Sequence, residues 1–143
     1  MNKKIKSANN AQNNNLCTSL KEFVDVSLLS YWQDILCLND WHIVLKKDCS
    51  TLDMQLKGVA GETEWEEVNK CAVIRIISKK DYGDRILPYN FEQILVHELL
   101  HLKFCLLGES GNDLQDRLIH QMIEDISKSL IRVKDGINGN NGQ

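Results

Sequence analysis

The sequence has no apolar run of 18 or more residues, so no segment of it reads as a transmembrane helix and no membrane partner is expected. It has no basic stripe either. Lys and Arg number 17 against 20 Asp and Glu, a formal net charge of −3, which argues against electrostatic binding of nucleic acid. Lys3, Lys4 and Lys6 are not followed by an apolar stretch, so the pattern of a signal peptide is missing. There is no C-x-x-C pair. The five cysteines, Cys17, Cys37, Cys49, Cys71 and Cys105, are odd in number and irregularly spaced. They point to free thiols and a cytoplasmic location, not to a disulfide framework. Proline occurs once, at Pro88, where it stops extension of any helix before it.

What is present suits one domain with one core: 143 residues, 43% of them hydrophobic. Residues 1–16 are Asn-rich and polar, with almost nothing to bury, and are expected to be a disordered tail. The folded domain is expected over 17–134, followed by a Gly/Asn-rich tail over 135–143. Thr18 or Ser19 can cap a first helix. Its apolar stripe would be Leu20, Val24, Leu28, Tyr31, Ile35 and Leu38, ending at Asn39-Asp40. Residues 41–46 have strand composition, with a loop from Asp48 onward. Residues 59–66, with their charges and Gly61, suit an edge strand. Residues 71–78 are the most apolar strand, and the two segments are expected to pair as a hairpin across Asn69-Lys70. A last helix is expected with the stripe Leu114, Leu118, Met122, Ile126, Leu130 and Val133, ending near Lys134.

Between the sheet and that helix lies His97-Glu98-Leu99-Leu100-His101, an H-E-x-x-H motif. Asn90 can cap a helix there, with Gln93 in the capping-box position, and Gly108 sits where a C′ glycine would end it. Positions four apart share a helix face, so His97 and His101 can place two imidazole nitrogens on one ion. Glu98 is about 100° round the helix from His97. Its carboxylate therefore falls at the edge of the metal face, in reach of a water on the ion. This spacing is the known signature of zinc metalloproteases.

A catalytic zinc takes three protein ligands and leaves one position to water. The third donor is sought on the last helix, where His120 and Glu124 are four apart and share a face. The preferred assignment puts His120 on the metal, with Glu124 fixing a ligand imidazole through a hydrogen bond. The opposite assignment puts Glu124 on the metal and His120 beside it.

Helix, small sheet, H-E-x-x-H helix and ligand-bearing helix, in that order, resemble the zincin metallopeptidases. The chain is most similar in style to the very small metallopeptidases of phages and other mobile elements, near the minigluzincins and the SprT-like proteins. Trp41-His42-Ile43, Ala60-Gly61-Glu62, residues 72–77, the motif, and residues 120–124 carry the resemblance over about residues 20–132. It implies an α+β fold with a small, mostly antiparallel sheet of about three strands. It implies Zn2+ on His97 and His101, and Glu98 as the residue that polarises the water. It also implies an edge strand against which an extended peptide lies. By order that strand is 59–66, with Ala60, Gly61, Glu62 and Thr63 as the substrate-binding stretch.

The expected activity is hydrolysis of peptide bonds in a peptide or protein substrate, with Glu98 as general base. Tyr82, Tyr89, Arg75 and His42 are unranked candidates for a second stabiliser of the transition state. The rival readings are a zinc-stabilised binding or regulatory module that cleaves nothing, with His97, His101, His120 and Glu124 all on the metal, and a metal-free α+β domain.

Overall fold

A computed structural model describes residues 24–107 and 111–140. Thr18, Ser19, Leu20, Cys17, Gly108 and the expected tail over 1–16 lie outside the described residues. The fold is α+β, with four helices and one three-stranded sheet among the described residues. Helix α1 covers 24–35. Strands β1 (His42–Cys49), β2 (Gly61–Glu66) and β3 (Cys71–Ile77) follow, then the single turn α2 (Lys79–Tyr82). Helix α3 (Phe91–Phe104) runs into a 3-10 turn at Cys105–Leu107, and α4 (Asp113–Asn140) is the last element. None of these helices is long and apolar enough to cross a membrane.

Strand β3 takes the centre of the sheet because it is the most apolar strand, with Ile74 and Ile76 fully buried. It pairs antiparallel with β2, with Thr63 opposite Ile74, as the hairpin reading expects. It pairs parallel with β1, with Leu45 also opposite Ile74. The sheet is thus mixed, not mostly antiparallel. A tight turn forces β2 and β3 to run in opposite directions. Strand β1 is joined to β2 by the longer connection 50–60, which reverses the chain but leaves a gap, and β3 fills that gap. Strand β1 also runs further than its composition suggests. A register shift after Lys46, with Asp48 at a φ of 53°, carries pairing on to Cys49 opposite Ile77.

Alternation along β3 puts Ala72, Ile74 and Ile76 on the face that packs against the helices. Val73 and Arg75 take the other face. Helix α3 lies against β2, β3 and α4. It buries Leu95, Val96, Leu99, Leu100 and Leu102 and is the core's central rod. Asn90 starts it as expected, its side chain accepting from the Gln93 N–H at 3.0 Å.

Two helices are turned by one residue from the face their apolar spacing predicts, with Leu28, Ile126 and Leu130 of the expected stripes half-buried against the core. On α1, Val24, Tyr31 and Ile35 are exposed, while Asp25, Leu29 and Trp32 are buried. The helix also ends at 35, before Asn39-Asp40, and Cys37 follows in a left-handed conformation. On α4, Leu114, Leu118, Met122 and Val133 are exposed, while Ile123, Ser127 and Ile131 are buried. Both faces are displaced by one residue. Asp25 ion-pairs with Lys47 at 2.5 Å, and the Ser127 hydroxyl donates to the Glu124 carbonyl at 2.8 Å. Each polar residue has a partner, Asp25 across the fold on β1 and Ser127 within its own helix, so it can sit inside at little cost. Helix α4 also continues past Lys134 to Asn140, although a tail was expected there. Gly136 and Gly139 weaken that last stretch by about 1 kcal/mol each without breaking it.

Candidate metal centre

Helix α3 sets His97 and His101 one turn apart with ring centroids 5.1 Å from each other. Helix α4 packs against α3 and brings His120 to 4.9 Å from His97 and 5.6 Å from His101, centroid to centroid. One nitrogen from each of the three rings lies within 4.8 Å of the others. Three imidazoles around a tetrahedral zinc have nitrogens about 3.3 Å apart, given Zn–N bonds of about 2.0–2.1 Å. The three rings lie close enough together to be candidates for holding such an ion, His120 from the exposed side.

Glu124 stands behind this cluster. Its Oε2 is 2.9 Å from Nδ1 of His97. A carboxylate only accepts, so Nδ1 carries the proton and Nε2 keeps its lone pair for the centre. On α4 it is His120 that groups with His97 and His101, while Glu124 lies against a ring nitrogen of His97. Burial, reinforced by His120, holds the His97 ring below its usual protonation range, and Glu124 pulls the other way. Burial, with His97 and His120 nearby, brings His101 down to about 4. Neutral imidazoles are what a divalent ion requires. Burial pushes Glu124 up, but the Lys128 ammonium and His97 outweigh it and keep the carboxyl below its ordinary value.

Glu98 follows His97 on α3 and is 5% exposed. The Thr63 hydroxyl of β2 contacts its Oε2 at 2.7 Å and its backbone carbonyl at 3.3 Å. Burial pushes the Glu98 carboxyl up to about 7; the Thr63 hydrogen bond opposes the rise and the nearby Glu62 charge adds to it. Gly61 makes this approach possible. A Cβ there would sit 2.7 Å from Glu98 Oε1 and 2.8 Å from the Ile94 side chain. The strand can therefore run against the helix only with no side chain at this position.

The histidines and Glu98 line a cleft of about 900 Å3 whose wall includes Ala60, Gly61, Glu62 and Thr63. Strand β2 is at the sheet edge, as expected, and pairs only with β3 among the described residues. Within that wall Glu62 is buried, and its carboxylate is engaged elsewhere. It accepts from the backbone N–H of Gln55 at 3.0 Å and of Leu56 at 2.9 Å, and pairs with Arg75. It ties Gln55 and Leu56 of the 50–60 connection to β2.

Of the candidates for a second stabiliser, only Tyr82 lines the cleft, and its hydroxyl donates to the Leu87 carbonyl at 3.0 Å. The Tyr89 hydroxyl donates to the Ile77 carbonyl. Arg75 is bound to Glu62 and Glu64. His42 begins β1, the far edge of the sheet. Cys37, Cys49, Cys71 and Cys105 are free thiols.

The sequence places Thr63 in the site but not against Glu98, because that contact needs the sheet packed on the helix, and it does not single out Lys128. Lys128, 2.8 Å from Glu124, follows it by one helical turn, and the i,i+4 pairing of Glu with Lys is a signal that was available. Comparison with known protein families, with curated proteins and with solved structures finds no match to this chain.

Proposed function

We propose that the chain is a zinc-dependent peptidase of zincin type. The observation that carries this reading is the convergence of His97, His101 and His120 beside a buried glutamate, in a cleft walled by an edge strand. A zinc ion, when bound, lowers the pKa of water and polarises a carbonyl oxygen as a Lewis acid. The chain's own residues do the rest. Glu98 accepts a proton from the attacking water and delivers it to the leaving amine. Its burial in the metal-free chain raises its proton affinity, and a bound zinc would draw it back toward the carboxylate that accepts the proton. Thr63 donates to Oε2 and holds the carboxylate in place beside the histidines. Strand β2, at the sheet edge and in the cleft wall, is the element along which an extended peptide would lie by main-chain hydrogen bonds, which favours a peptide or protein substrate with modest sequence preference.

A closed site with four protein donors would have suited a binding module that cleaves nothing. It requires Glu124 on the metal, whereas its Oε2 is engaged with Nδ1 of His97 and its Oε1 with Lys128. Glu98→Gln tests the peptidase. It is expected to retain one zinc per chain and to lose at least about 100-fold in turnover on a mixed fluorogenic peptide library. Undiminished cleavage by Glu98→Gln would rule this mechanism out.

A further inference from the structure

We propose that Lys128 is a positioning residue of the metal centre. Acting through Glu124, it holds the His97 ring in the orientation that turns Nε2 toward His101 and His120. The inference rests on the metal-centre reading above. Lys128 Nζ is 2.8 Å from Glu124 Oε1, and Glu124 Oε2 is 2.9 Å from His97 Nδ1. One carboxylate is thus held at both oxygens, by a cation on one side and a ligand ring on the other. A glutamate side chain fixed at a single oxygen keeps much of its rotamer freedom, and the second contact removes it. The backbone of this turn is also tied, because buried Ser127 donates to the Glu124 carbonyl at 2.8 Å.

This pair differs from the usual i,i+4 pair on a solvated helix face. The Glu124 and Lys128 side chains are 28% and 36% exposed, and both line the cleft that holds the three histidines. A solvated pair of this spacing would alter zinc affinity by less than about twofold. Partners that orient a ligand imidazole alter it by about 10–100-fold. Removal of Lys128 lets Glu124 swing toward water, and the His97 ring then loses the acceptor that selects its Nδ1–H form.

The test uses the full chain and zinc alone. Zinc affinity is measured by competition with a chromophoric chelator for the unmodified chain, Lys128→Met and Lys128→Arg. Lys128→Met is expected to bind zinc about tenfold more weakly, at the lower end of that range. Lys128→Arg still donates to Oε1 and is expected to return to within about twofold of the unmodified chain. In the metal-free protein, isotope-edited histidine NMR is expected to show His97 as the Nδ1–H tautomer, and a mixture in Lys128→Met. The proposal is overturned by a loss below about twofold in Lys128→Met, by an arginine variant as weak as the methionine one while still folded by circular dichroism, or by an unchanged tautomer. If the unmodified chain takes up no zinc, the metal-centre reading fails, and the tautomer measurement, which needs no metal, still decides the role of Lys128.

Discussion

Gly61 shows how much of the centre depends on one missing side chain. Its neighbours Glu98 and Ile94 leave less than 3.0 Å for a Cβ. Gly61→Ala must push β2 away from α3 or turn the Glu98 carboxyl aside. The expected cost is about 1–3 kcal/mol, as for overpacking elsewhere, read as a lower urea midpoint of the metal-free protein. Tyr89 supplies a pH dependence of its own. Burial, with Asp48 and Asp25 nearby, pushes its hydroxyl up to about 12. An unfolded tyrosine loses its proton near about 10. Between those values the folded chain keeps a proton that the unfolded chain has released, so stability falls as pH rises through this window. Tyrosinate absorbance is expected to show a late step that Tyr89→Phe removes. A Tyr89→Phe chain that keeps the late step would show that another group causes it.

At the scale of an element, α4 decides the site by its rotation. The exposed ridge of Leu114, Leu118 and Met122 is as apolar as the buried one, and spacing alone favours it. The face that turns inward instead carries Ile119 and Ile123, and with them come His120 and Glu124. Ile123→Ala is expected to cost about 2–5 kcal/mol. Leu118→Ala is expected to stay within about 0.5 kcal/mol. Comparable losses at the two positions, measured by equilibrium unfolding, would mean that the helix is rotated differently. Helix α1 repeats the lesson. Trp32 is buried and donates to Glu92 of α3 at 2.7 Å, while Tyr31 beside it is exposed. Hydrophobic periodicity counts apolar side chains on a face. It misplaces the face when polar residues inside it, such as Asp25 and Ser127, have their partners already in place.

At the scale of the whole molecule, the three histidines join α3 to α4, so a bound ion would act as a staple between two elements that also meet through apolar contact, the Glu124–His97 hydrogen bond and the Lys134–Glu92 ion pair. Zinc bound only by the folded chain stabilises it by about 2.7 kcal/mol at a free concentration 100 times the Kd. The unfolding midpoint is therefore expected to rise with zinc and to fall back on adding a chelator. His120→Ala is expected to abolish most of that rise, since it leaves two ligands on one helix. An unfolding midpoint indifferent to zinc would leave the three rings as an ordinary histidine cluster.

The sequence by itself determined what depends on neighbours along the chain. That covers the H-E-x-x-H spacing, the Asn90 cap, the β2–β3 hairpin and the apolar β3, because helix and turn geometry link residues only a few positions apart. Only the tertiary structure decided the direction of β1, the faces of α1 and α4, and the contacts of Thr63 with Glu98 and of Glu124 with His97. Those depend on which surfaces meet across the core, and packing chooses among faces of nearly equal apolarity by satisfying the few polar groups they carry.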